Sequence, residues 1–188
     1  MRIVGGKYRG KKLSTPAYGG TRPTADRTRE TLFNILLHSP HFGQHVLRDK
    51  AVLDVFAGTG ALGLEAFSRG AKSVTFIEHH RDALPTLYTN VNVFDLPSAC
   101  VVAQEVQTLK ANPYSPFDLI FMDPPYHQNL LPPTLQHLKE QGWIAQQACL
   151  VMEMAKDDVV TLPSFVMPVV ERLSGPAKLV FGVIEPCI

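Results

Sequence analysis

Asp123-Pro124-Pro125-Tyr126 is the stretch of this chain best equipped for chemistry. It follows Phe117-Asp118-Leu119-Ile120-Phe121-Met122, an apolar run that reads as a buried strand. Proline has no N–H and a fixed φ, and it drives the residue before it into an extended shape. Asp123 and Pro124 are therefore both expected to be extended. The Asp123 carboxylate and the Pro124 carbonyl then point out of the loop as two acceptors for one amino group. Tyr126 adds a flat face on which a ring can stack. An acceptor pair beside a stacking platform suits an exocyclic amine on a nucleobase. The plainer reading is a turn after a strand, with the acid as a helix cap.

A second device lies upstream. Gly58-Thr59-Gly60-Ala61-Leu62-Gly63 matches G-x-G-x-x-G between an expected strand and an expected helix. Glu78 ends the next strand, where a ribose-binding acid belongs. Asp54 weighs against a dinucleotide, because a carboxylate just ahead of the glycines repels a pyrophosphate seated on a helix N-terminus. S-adenosylmethionine (SAM) has no phosphate. Its sulfonium and ammonium both favour nearby carboxylates. Asp54, Glu78, Glu105 and Asp123 each fall at or just after the C-terminal end of an expected strand. That is the edge where open α/β sheets bind ligands. Four acids on one rim suit a cationic cofactor, and NAD binding where SAM fails would reverse this reading.

The elements that must hold these residues alternate. Thr24 or Asp26 can cap a helix that runs to about His38, with Leu32, Phe33, Leu36 and Leu37 as its apolar face. Ala51–Val55 reads as a strand, residues 61–69 as a helix and Ser73–Glu78 as the next strand. Asp82 to about Phe94 reads as a helix with Leu84, Leu87, Tyr88 and Val91 inward, and Pro85 harmless in its first turn. Further strands are expected at Cys100–Val102, Phe117–Met122 and Ala148–Met154, with a helix over Leu130–Gln141 between the last two. Val166–Leu173 and Lys178–Ile184 read as a closing antiparallel pair around Ser174-Gly175-Pro176. This pattern predicts an α/β fold, Rossmann-like, with a seven-stranded, mostly parallel sheet and helices on both faces. Residues 1–48 are expected to form a basic hairpin-and-helix extension packed on a main domain of residues 49–188.

Charge separates the same two parts. Residues 1–29 hold eight Lys or Arg and one acid, a net of +7; the remainder holds ten basic and sixteen acidic residues, a net of −6. A basic arm on an acidic body is the asymmetry expected where one end grips a polyanion. Arg2, Lys7, Arg9, Lys11, Arg22, Arg27 and Arg29 are the candidate contacts. For the three last, ion pairing with Asp26 and Glu30 at the helix start is an equal alternative. Removing residues 1–20 is expected to abolish nucleic-acid modification and spare cofactor binding. Cys100, Cys149 and Cys187 form no disulfide framework and no Cys-x-x-Cys pattern, so a reducing, cytoplasmic setting is expected. No apolar run approaches the ~20 residues of a membrane span. His38, His41 and His45 are interrupted by Pro40 and lack a neighbouring Cys or acid, so no metal site is expected. His127 reads as a loop histidine and Trp143 as core packing.

Asp54-Val55-Phe56-Ala57-Gly58-Thr59-Gly60 resembles the cofactor loop of class I SAM-dependent methyltransferases, and Asp123-Pro124-Pro125-Tyr126 resembles the catalytic motif of those that methylate exocyclic amines. Met1-Arg2-Ile3-Val4-Gly5-Gly6-Lys7-Tyr8-Arg9-Gly10 narrows the resemblance, as does Arg22-Pro23-Thr24-Ala25-Asp26-Arg27-Thr28-Arg29-Glu30-Thr31-Leu32-Phe33-Asn34. They are similar to a bacterial family that methylates guanine N2 in 16S ribosomal RNA. The resemblance spans residue 1 to about 185. It implies that Asp54, Phe56, Ala57, Gly58, Thr59 and Gly60 serve the cofactor, with the glycines around the methionine end of SAM and Glu78 on the ribose hydroxyls. It implies that Asp123, Pro124, Pro125 and Tyr126 hold the target base. Gln104-Glu105 stands where the family has a small residue with Asp or Asn against adenine, and Phe181-Gly182-Val183 replaces a Tyr-Gly-Asp-like turn. The implied substrate is 16S ribosomal RNA, within an assembling small subunit, for a monomeric enzyme with no membrane partner. Methylation of adenine N6 is the enzymatic alternative, since the same motif serves both amines. A non-catalytic nucleic-acid-binding domain is the alternative of a different kind.

Overall fold

The computed structural model describes residues 1–15, 26–42, 45–94, 96 and 100–185. Helix α1 spans Asp26–His38, strand β1 Ala51–Val55, α2 Ala61–Ser68, β2 Ser73–Ile77, α3 Leu84–Asn92 and β3 Cys100–Val102. A short 3-10 helix at Val106–Thr108 precedes β4 (Phe117–Met122), α4 (Leu131–Glu140), β5 (Ile144–Ala155), β6 (Val166–Ser174) and β7 (Ala177–Ile184). The seven strands form one sheet in the order β3-β2-β1-β4-β5-β7-β6. β1 to β5 are mutually parallel, and β7 inserts antiparallel between β5 and β6.

Strand side chains alternate faces, and two cores result. On one face Val52, Phe76, Leu119, Phe121 and Val151 pack with Leu32, Phe33 and Leu36 of α1, Leu64 of α2 and Leu87 of α3. On the other, Leu53, Val55, Ile120, Met122 and Leu150 pack with Leu131, Leu135 and Leu138 of α4 and with Trp143. Both faces of the parallel strands are thus covered, which is why those strands read as continuous apolar runs.

Two elements depart from expectation. β5 begins at Ile144, not Ala148. Exposed Gln146 and Gln147 hide its first half, and Gln147 has a φ of 58°. Pairing there slips: two steps along β4, from Phe117 to Leu119, match five along β5, from Ile144 to Cys149. α3 starts two residues late, and its inward stripe is Ala83, Leu87, Asn90 and Phe94; Tyr88 faces solvent at 43% exposure. A polar residue in the stripe masked its phase. Thr24, as a helix cap, lies outside the described residues.

The N-terminal arm is a hairpin. The Ile3 N–H donates to the Lys11 carbonyl at 2.9 Å, the Leu13 N–H to Met1 at 3.0 Å, and Arg2 bridges Lys12 antiparallel. Ile3 and Leu13 belong to the same core as α1 and α2. The arm grips α2 through Glu65, which is fully buried. Its carboxylate accepts the Val4 and Gly5 N–H groups at 2.8 and 2.7 Å and pairs with Arg69 at 2.8 Å. The Ser68 hydroxyl accepts the Tyr8 N–H at 2.9 Å and donates to the Gly5 carbonyl at 2.6 Å. An arm so embedded cannot be removed without exposing the helix that follows the glycine loop. The expectation that cofactor binding survives removal of residues 1–20 is therefore withdrawn.

Candidate active site at the sheet switch point

β1 pairs with β2 on one side and β4 on the other, so the direction of winding reverses between β1 and β4. Val55 lies beside Met122 in register. The loops that leave these two strands, Phe56–Gly60 and Asp123–Tyr126, therefore emerge side by side. Such a switch point opens a crevice at the carboxyl edge of a sheet. Two motifs 63 residues apart, from Gly60 to Asp123, are brought together by that pairing alone.

The first loop is held in unusual backbone conformations. Phe56 has a φ of 61°, an uncommon state for a bulky residue, and Gly60 has a φ of 76°. A Cβ on Gly60 would sit 2.6 Å from Leu87 Cδ1, so glycine is required there for both space and conformation. Gly63 serves packing: a Cβ there would lie 2.5 Å from a Phe76 ring carbon and 2.7 Å from Val74 Cγ1. It lets α2 settle against β2. Asn90, 1% exposed, donates to the Thr59 carbonyl at 2.9 Å. The same amide donates to the Ser14 carbonyl at 3.1 Å and accepts the Ser14 N–H at 2.8 Å. One side chain of α3 thus joins the glycine loop to the end of the arm.

Asp54 does not open onto the rim. It is 2% exposed, and its Oδ2 accepts the Gly63 N–H at 2.8 Å, beneath the first turn of α2. It shapes the loop from below, which corrects the expectation of an acid facing a cation. Burial, offset in part by the Gly63 N–H and reinforced by the Glu78 charge, pushes its carboxyl up from 3.8 to about 8. The folded state therefore holds a proton that the unfolded chain releases. Stability from this group is complete below about pH 4 and is lost as pH rises through about 8. The variant Asp54→Asn, which cannot ionise, is expected to gain on the wild type between pH 5 and pH 9. Urea unfolding at the two pH values checks it; a constant difference would contradict the buried neutral acid.

Glu78 closes the same loop from β2. Its carboxylate accepts the N–H groups of Gly58 at 2.8 Å, His79 at 2.8 Å and His80 at 2.7 Å. A carboxylate offers about four acceptor positions, so capacity remains for a hydroxyl. Glu105 is exposed beyond β3, and its carbonyl starts the 3-10 helix by accepting the Thr108 N–H at 2.9 Å. The Glu78 and Glu105 carboxylates beside an open glycine turn fit a cationic, phosphate-free cofactor.

The second loop leaves β4 with Asp123 half-buried, Pro124 buried, Pro125 exposed and Tyr126 half-buried. Tyr126 Oη donates to Glu153 Oε1 at 2.6 Å. Beyond it, His127 takes a φ of 61° and its Nδ1 meets Asp158 Oδ1 at 2.8 Å. Asp158 also accepts the Ala155 N–H at 3.1 Å, which ties this loop to the turn after β5. Between the two lies an open cavity of about 180 Å³ lined by Pro124, Tyr126, Asn129, Leu131, Met154 and Val160, among others. Glu153 was absent from the sequence reading, although it carries the same signal as Asp54: an acid inside an apolar strand. Asn90 and Glu65 gave no comparable signal, since polar residues on helices are ordinary.

The family described as Conserved hypothetical protein 95 matches residues 1–182. The chain is 40% identical over 165 residues to ribosomal RNA small subunit methyltransferase D of Escherichia coli K12, covering 87% of this chain and 80% of that one. The enzyme of the same name from Haemophilus influenzae is 37% identical over 179 residues, covering 93% and 89%. This chain belongs to the ribosomal RNA small subunit methyltransferase D family. The solved structure of yhhF from Escherichia coli superposes with a TM-score of 0.83 at 36% identity, covering 98% of each chain. The fold is that of class I SAM-dependent methyltransferases.

The expected cations of the arm divide. Arg2, Lys7, Arg9 and Arg27 are exposed. Lys11 is half-buried, lies over the rings of Tyr8 at 5.3 Å and Phe94 at 4.6 Å, and donates to the Val93 carbonyl. Arg29 is a correction: it is fully buried, and its Nη2 donates to the Arg2 carbonyl at 2.5 Å and to Asp26 at 2.7 Å. It staples α1 to the arm and presents no charge to a ligand. Arg22 lies outside the described residues. Among the described residues no group of three His, Cys, Asp or Glu could hold a metal ion, and no helix is long and apolar enough to cross a membrane.

Proposed function

We propose that this protein transfers a methyl group from SAM to the exocyclic N2 amine of a guanine in 16S ribosomal RNA, within an assembling small subunit. The observation that carries the reading is the Val55–Met122 register, which sets the glycine loop beside the Asp123-Pro124-Pro125-Tyr126 loop. The relatives' names support ribosomal RNA as the substrate.

When bound, SAM supplies an electrophilic methyl on a sulfonium. Gly58, Thr59 and Gly60 would hold its methionine end, with Phe56 and Ala57 shaping the turn, Glu78 on the ribose and Glu105 towards the adenine. The guanine amine is a poor nucleophile because its lone pair is delocalised into the ring. The Asp123 carboxylate and the Pro124 carbonyl accept its two N–H bonds, which draws the nitrogen towards a tetrahedral shape. Tyr126 stacks on the base, which must leave its helix or lie in an unpaired loop to reach the site. The proton shed on methylation passes to Asp123 or to water. Positioning is the main source of rate. Exposed Arg2, Lys7, Arg9 and Arg27 supply phosphate contacts, so RNA affinity falls with salt.

The test is a product analysis. Unmethylated small subunits and the 16S RNA extracted from them are incubated with labelled SAM and digested to nucleosides. Label in N2-methylguanosine is the expected result. Label in N6-methyladenosine, or none with either substrate, overturns the proposal.

A further inference from the structure

Met122 of β4 pairs with Met152 of β5, so Asp123 and Glu153 occupy the same level of neighbouring parallel strands. Glu153 is 8% exposed in an otherwise apolar run, Leu150 to Ala155. A buried carboxylate is costly, and an apolar residue of similar size would serve stability as well or better. Its partner explains its presence. Tyr126 Oη donates to its Oε1 at 2.6 Å, a short hydrogen bond.

That bond fixes a ring. Tyr126 sits on a loop that leaves β4 through two prolines, and its main-chain path alone does not choose the plane of the aromatic face. A hydrogen bond from the far end of the ring to a rigid central strand does. The His127–Asp158 contact steadies the loop one residue on, and the His127 ring meets the Tyr126 ring edge-on at 6.3 Å, a softer restraint than a hydrogen bond. Groups fixed before the substrate arrives spare it the cost of ordering them.

We infer that Glu153 is a positioning residue for the target base: it holds the Tyr126 ring in the plane on which that base stacks, and acts on methylation through that ring. The inference rests on the function proposed above. A base bound against a pre-set ring is delivered with its amine aligned to Asp123, one strand position away.

A double-mutant cycle tests this on the full chain, with unmethylated RNA as substrate and SAM affinity measured by titration calorimetry. Tyr126→Phe keeps the ring and deletes the bond without touching the buried strand. Glu153→Met deletes the acceptor. Each is expected to lower kcat/KM for RNA about tenfold, the size of one such hydrogen bond, with SAM affinity within about threefold of wild type. The double variant is expected to be no worse than either single one, and Glu153→Gln, which keeps an acceptor oxygen, to recover most of the activity. Multiplied losses of about a hundredfold in the double variant would show that Glu153 acts independently and overturn the inference. Should Glu153→Met not fold, Tyr126→Phe decides: unchanged kcat/KM overturns it. A wild-type protein that methylates no RNA refutes the proposed function instead, and that outcome is distinct from an active wild type matched by an active Tyr126→Phe.

Discussion

Asp123→Ala is expected to lower turnover on unmethylated RNA by roughly 10²–10⁴-fold, the range for losing one group that acts in the transition state. SAM affinity is expected to stay within about threefold of wild type, because the glycine loop and Glu78 are shaped by other contacts. The residue is the first beyond a strand whose last residue, Met122, is fully buried, so its backbone is held by the sheet. The two residues that follow are prolines and have no N–H. An aspartate in a turn commonly folds back onto the amide two residues on, and here that amide is missing. Single-turnover methylation with saturating SAM, alongside calorimetric titration, measures both halves of the claim. Near-normal turnover in Asp123→Ala would remove the mechanism. Asp123→Asn keeps one acceptor oxygen and is expected to fall between the two.

Glu65→Ala is expected to cost about 3–5 kcal/mol of stability, the typical penalty for breaking a buried ion pair by deleting one partner. Its carboxylate serves the arm's Val4 and Gly5 amides and the Arg69 guanidinium at once. Alanine leaves two amides without their acceptor and a largely buried cation, 13% exposed, without its partner. For a chain of this length the midpoint of thermal unfolding would drop by about 6–20 °C. Because α2 begins where the glycine loop ends, SAM affinity is expected to fall with it. Calorimetric melting with and without SAM checks both effects. A loss below about 1 kcal/mol would mean that the arm rests on α2 without holding it. The basic arm is thus part of the fold as well as the candidate grip on RNA, and deleting it cannot separate the two roles.

Much of the architecture was legible along the chain. Apolar runs at Leu119–Met122 and Val52–Val55 are long enough, and sufficiently bounded by glycine, proline and acid, that only buried parallel strands suit them. Local backbone chemistry carried the rest: prolines after Asp123 and glycines after Phe56 restrict conformation whatever surrounds them. That is the ground on which the two loops are proposed as a cofactor turn and an amine clasp. Side-chain orientation could not be read in this way. Asp54, expected on the rim, turns under α2 because the Gly63 amide waits there. Arg29, expected on RNA, turns inward because the arm's Arg2 carbonyl and Asp26 meet it at the core. Glu153, Asn90 and Glu65 went unnoticed because their partners, Tyr126, Ser14 with Thr59, and Val4 with Gly5, lie 27 to 76 residues away. Conformational preference belongs to a residue and its neighbours in sequence. Whether a charge faces solvent, a ligand or a buried amide depends on which distant segment the sheet brings beside it, and that is a property of the packed chain.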